Sequence, residues 1–183
     1  MFASMFNIYF LALFNYATLH GDILMIGILF GAAELLGTLF GEPVIRKFPD
    51  WIAMIVCLIF VMGTCLILKM PDVDQTTIYV VFLLQIFFIG MAFNLAFMIM
   101  ETRTNPKLLA VAWELNMSIG SGSSMVLPIF AKAPEPTPTL MFFIFGSICI
   151  LMLLKIGPKK QISKETVADK IERTVLSMVD ESM

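Results

Sequence analysis

Six apolar runs, each close to the roughly twenty residues that a helix needs to cross a bilayer, leave this chain very few ways to fold. They lie near 2–19, 23–42, 51–69, 77–100, 108–131 and 138–156. Hydrocarbon offers the backbone no hydrogen-bond partners, so a crossing segment must be a helix or a strand of a closed barrel. Barrel strands are about half this length and alternate in polarity. The runs do neither, and the sequence therefore predicts an all-α membrane protein, a bundle of six transmembrane helices over residues 1–157. Composition agrees: 59% of the 183 residues are hydrophobic and 14% are charged, where a soluble domain carries about 25% charged residues. A net charge of −2, with the charges gathered in turns and in the tail, excludes nucleic acid as a partner.

The breaks between runs carry turn and charge signals: His20-Gly21-Asp22, Pro43 to Asp50, Met70-Pro71-Asp72, Glu101 to Lys107, and the proline-rich Lys132 to Pro138. Arg46 and Lys47 mark the second turn, Arg103 and Lys107 the fourth, and six bases the end of the chain, against Lys69 and Lys132 elsewhere. The bias toward basic inner loops places both termini on the cytoplasmic or matrix-equivalent side. Met1 leads straight into an uncharged run without the basic start of a signal peptide, so that run is read as a span. Residues 158–183 form a tail of soluble composition. There Ser163 suits a helix cap, and Val167, Ile171, Val175 and Met178 share one side, which predicts a short amphipathic helix. Cys57, Cys65 and Cys149 sit in apolar runs as core or lipid-facing residues, and His20 reads as an interfacial loop residue.

Polar residues inside the spans are few, and two are acids. On a helix advancing about 100° per residue, Gly27, Gly31, Glu34, Thr38 and Gly41 share one stripe of the second span. An acid in mid-membrane costs at least about 2.5–3.5 kcal/mol, so Glu34 is expected to face protein or water, either as a functional group or satisfied by a neighbouring helix. Gly27/Gly31 and Gly37/Gly41 have the small-xxx-small spacing that lets another backbone approach. In the fifth span Lys107, Ala110, Glu114, Ser118, Ser121, Met125 and Pro128 share a face, with Trp113 and Asn116 to either side. The glycine and serine density after Ile119 invites a bend. Asn7, Tyr9, Asn15 and Tyr16 in the first span, and Gln85 and Asn94 in the fourth, serve either as interhelical glue or as ligand contacts. No histidine cluster, metal-ligand spacing or nucleophile with a base is present, so no enzyme and no cofactor are expected.

The glycine-rich second span with its glutamate in Phe30-Gly31-Ala32-Ala33-Glu34, the basic turn Ile45-Arg46-Lys47-Phe48-Pro49, the cluster Glu101, Arg103 and Pro106, and the tail phrase Lys164 to Glu172 together resemble the C-terminal six-helix half of a major facilitator superfamily transporter. The organic cation and anion branch is the most similar. The turn lacks the aspartate usual in that superfamily, and Ser118 stands where the branch has an acid, with Glu114 one turn away on the same face. The resemblance implies inverted three-helix repeats and a substrate held near the midplane against a second six-helix half, either another copy or a separate chain.

Taken with two acids and no base at comparable depth, this gives the expectation of secondary transport of a small organic solute, a cation before an anion. Glu34 and Glu114 are its expected ion sites; Asn15, Tyr16, Asn94, Trp113 and Ser121 line the path; Arg46, Glu101 and Arg103 gate it, unless the last two form only a local surface pair. The competing expectation is a non-transporting structural or accessory subunit of a larger membrane complex.

Overall fold

The computed structural model describes residues 2–16, 23–70, 73–134 and 136–157. All its regular elements are helical among these residues: α1 (Phe2–Tyr16), α2 (Ile23–Lys47), α3 (Asp50–Ile67), α4 (Gln75–Arg103), α5 (Leu109–Ser124), α6 (Leu127–Ala131) and α7 (Thr137–Ile156), with a single 3₁₀ turn at Pro106–Leu108. Among the described residues, α2, α3, α4 and α7 are long and apolar enough to cross a membrane. The first run shows 15 helical residues, and its expected continuation to Leu19 lies outside the described residues, as does the amphipathic helix expected in the tail.

Local chemistry explains where the helices differ from the sequence reading. The second helix does not stop before Pro43 but runs to Lys47. Proline there removes a single backbone donor in an exposed final stretch, and the Phe48 amide still closes the last turn on Val44 O at 2.9 Å. The fourth helix also runs on, so Glu101 and Arg103 lie in its last turn and not in a loop. Its start is capped by Asp74, whose carboxylate accepts from the Thr76 amide at 3.2 Å. The fifth run breaks at Met125 and Val126. The Ser123 and Ser124 hydroxyls donate to the carbonyls of Gly120 and Ser121 at 2.9 and 2.8 Å, and Pro128 has no amide to offer the Ser124 carbonyl.

α4 is the hub. It packs against α2 along one side and α3 along another, and it touches α1; α1 in turn packs against α5, α6 and α7, and α7 closes on α3. Exchanging α1, α2 and α3 for α4, the α5–α6 unit and α7 maps each of these contacts onto another or onto itself. The core between them holds Met5, Ile8, Leu11, Met54, Leu58, Ile86, Leu95 and Phe142, along with all three cysteines, which are buried.

The tightest contact in the bundle joins α2 to α4. A Cβ on Gly37 would meet the Phe87 carbonyl carbon at 2.9 Å and the Met91 amide at 3.0 Å, and one on Gly90 would meet the Glu34 carbonyl oxygen at 2.8 Å. Asn94 Nδ2 donates to the Thr38 carbonyl at 2.7 Å beside the same crossing. Gly31, by contrast, has nothing within 4 Å of an added Cβ. Gly37→Leu is therefore expected to cost about 1–3 kcal/mol or more through overpacking, while Gly31→Ala stays within about 0.5 kcal/mol. Thermal exposure of the buried cysteines to a thiol-reactive dye measures both.

Candidate functional site

Phe6, Tyr9 and Phe10 recur at the spacing that puts them on one side of α1. That side faces Phe93 of α4, with Phe6 and Tyr9 centroids 5.2 and 6.1 Å from the Phe93 ring. On α2, the Gly90 contact presses the Glu34 backbone against α4, and the Glu34 side chain leaves along the flank. There it meets α1, where the Tyr9 hydroxyl donates to Glu34 Oε2 at 3.3 Å. Between α1, α2 and α4 a crevice of about 230 Å³ remains, lined by Phe6, Tyr9, Phe10, Glu34 and Phe93. Its walls are four aromatic rings and one carboxylate, with no basic residue among them.

The aromatic surface extends away from the crevice. Phe97, one turn along α4, lies edge-on to Phe93 at 5.1 Å, and Trp113 of α5 stacks on Phe97 at 4.4 Å and 26°. Ring faces carry negative potential and attract cations, organic ammonium groups above all. A half-buried carboxylate beside four rings is an arrangement suited to a cation of modest size and hostile to an anion. Among the described residues no group of histidine, cysteine and acidic side chains has the arrangement of a metal site.

Of the expected site residues whose side chains are described, the crevice contains Glu34 alone. Asn94 serves as glue, spending its amide on the α2 backbone at Thr38. Trp113 is 38% exposed and reaches the crevice only through Phe97 and Phe93. Glu114 and Ser121 are exposed on α5 and do not line the crevice. Asn116 turns inward, its Nδ2 donating to Ala112 O at 2.7 Å. The side chains of Asn15, Tyr16 and Arg46 lie outside the described residues. The sequence reading missed the ring set, although the Phe6, Tyr9, Phe10 spacing carried the signal.

The cytoplasmic gate expected between Glu101 and Arg103 has a different partner. Arg103 Nη2 donates to both Asp50 carboxylate oxygens, at 3.2 and 3.4 Å, while Glu101 is exposed. Asp50 is 4% exposed and also accepts from the Trp51 amide at 2.8 Å as it opens α3. This ion pair ties the start of α3 to the end of α4.

No family model matches the chain, and no curated protein matches it. Its class rests on what the described residues build: all-helical structure with four helices of membrane-crossing length and apolarity, and an acidic aromatic crevice between α1, α2 and α4. Arg103→Ala is expected to cost about 3–5 kcal/mol, because it strands a buried carboxylate, and Glu101→Ala to change stability by no more than about 0.5 kcal/mol. Thermal unfolding midpoints of the purified variants separate the two.

Proposed function

We propose that this chain is one half of a secondary transporter for a small organic cation, working against a second membrane bundle. The observation that carries the reading is the crevice in which Glu34, hydrogen-bonded by Tyr9, stands among the rings of Phe6, Phe10 and Phe93. At about 30 Å³ per water, its volume has room for about seven waters or an organic cation with a comparable number of heavy atoms. A single carboxylate balances a monovalent charge, and the rings add about 0.5–2 kcal/mol for each face the cation occupies.

The helix packing supports the carrier architecture. The exchange of α1, α2 and α3 for α4, the α5–α6 unit and α7 is what two three-helix repeats would produce. With α1 counted as a crossing and α5–α6 as one broken crossing, the chain makes six crossings. Three is an odd number, so the second repeat runs through the membrane in the opposite sense to the first. This is the organisation of a major facilitator half, and the chain's resemblance to the organic cation and anion branch points the same way. The basic second and fourth turns set both termini on the cytoplasmic side. Glu114 lies near that side, and the run Phe93, Phe97, Trp113 leads from the crevice toward it.

Uptake of a fluorescent cationic dye into vesicles or cells bearing the chain tests the proposal. Glu34→Gln keeps the shape and removes the charge, and it is expected to abolish uptake. Phe93→Ala removes one ring face and is expected to raise the half-saturating dye concentration about 2–30-fold, the equivalent of about 0.5–2 kcal/mol. Uptake that both variants leave unchanged overturns the carrier reading and favours the accessory-subunit alternative.

A further inference from the structure

α5 ends in the stretch Gly120-Ser121-Gly122-Ser123-Ser124, and α6 begins three residues later at Leu127. The backbone between them departs from the α-helical pattern. The Val126 amide donates to Ser123 O at 3.3 Å and the Ile129 amide to Val126 O at 3.2 Å, each one residue short of the α-helical acceptor. The Ser124 carbonyl loses its helical donor altogether, because residue 128 is proline. The negative end of the α5 dipole, about half an elementary charge, therefore points into the break.

α1 fixes where this end lies. The Phe6 ring rests on Gly120, where an added Cβ would meet Phe6 Cδ2 at 2.7 Å, and the same ring lines the crevice and faces Phe93. The end of α5 thus stands beside the crevice, inside the bundle. Asn7, the next residue of α1, turns to α5 instead. It is 4% exposed, and its Oδ1 accepts from the Ser123 hydroxyl at 2.9 Å. The same hydroxyl lies 2.9 Å from the Gly120 carbonyl. One hydroxyl proton is shared between two acceptors, and neither α1 nor residues 115–131 hold an acid or a base.

We propose that the α5–α6 break, with Asn7 opposite it, binds a sodium ion. Asn7 Oδ1, Ser123 Oγ and the carbonyls at the end of α5 are the ligands. All are neutral oxygens, the hard donors that suit alkali and alkaline-earth cations. With no carboxylate among them they do not neutralise a divalent ion, so the charge is single. A potassium filter encloses its ion in rings of carbonyls, whereas a half-helix end offers the few oxygens with which broken membrane helices hold sodium. When the ion takes Asn7 Oδ1 and Ser123 Oγ, the hydroxyl proton turns to the Gly120 carbonyl already within reach. The inference goes beyond the carrier reading and does not depend on it, since neither Asn7 nor Ser123 lines the crevice.

The test follows thermal exposure of the buried cysteines of the full-length chain in sodium, potassium or choline chloride at equal ionic strength. Sodium at about ten times its dissociation constant is expected to raise the wild-type midpoint by about 3–6 °C over choline, and potassium at that concentration by less than half as much. Ser123→Ala is expected to weaken sodium binding at least tenfold, and Asn7→Asp, which puts a charge on the ligand, to tighten it at least tenfold. Glu34→Gln leaves the break intact and is expected to keep the sodium shift. If Asn7→Asp fails to fold, binding of radioactive sodium to wild type and Ser123→Ala decides. Equal midpoints in the three salts overturn the inference. So does a Ser123→Ala midpoint lowered equally in all three, the mark of a hydrogen bond that only holds helices together, and so does a sodium shift lost in Glu34→Gln, which would put the ion in the crevice. Dye uptake that needs Glu34 in a chain indifferent to sodium overturns this inference alone, whereas a sodium shift without dye uptake supports it and overturns the carrier reading.

Discussion

The bundle depends on the crossing of α2 over α4, where glycine meets backbone on both sides. Gly37 sits on the Phe87 backbone and Gly90 sits on the Glu34 backbone. In a membrane there is no hydrophobic gain from bringing helices together, so close van der Waals contact and a few interhelical hydrogen bonds must suffice. Here the missing Cβ atoms permit the contact, and Asn94 adds a bond to the Thr38 carbonyl. α2 has few other attachments, since it meets α3 only slightly.

The same crossing creates the crevice. With the Glu34 backbone pressed on α4, its carboxylate is carried past the contact to the gap before α1, where Tyr9 is the group that reaches it. Aromatic side chains fill the rest of that gap because α1 and α4 both present rings there, Phe6 and Phe10 from one and Phe93 from the other. An acid held by one phenol and surrounded by rings keeps its affinity for positive charge, because nothing basic in the crevice competes for it. The Asp50–Arg103 pair serves a different end. Both members are largely buried, at 5% and 15% side-chain exposure, and each faces the opposite charge, so the pair fixes the junction of α3 and α4 without reaching the crevice.

Much of this was legible in the residues. The apolar runs placed the helices to within a few positions, the Gly-Ser density after Ile119 pointed to a bend near the break that follows α5, and Glu34 stood out as an acid in an apolar segment. Other features were hidden because they depend on a partner far along the chain. Asn94 reads the same in sequence whether it binds a ligand or a carbonyl fifty-six residues away. Arg103 reads as a loop charge beside Glu101 until α4 runs one turn further and aims it at Asp50. Gln85 is wholly buried with both amide atoms lacking a protein partner, a cost no local pattern announces.

By itself the sequence determined that the chain is helical and fit for a membrane, because length, apolarity and the need to satisfy every backbone group in hydrocarbon leave one solution. It also determined that Glu34 and Glu114 stand in apolar runs that hold no base, because charge is a property of residues. Which rings surround Glu34, which acid holds Arg103, and which glycines are packed and which open were decided only by tertiary structure. Those outcomes follow from the rotation and depth at which each helix meets its neighbour, and periodicity within one helix carries no information about the angle at which another will cross it.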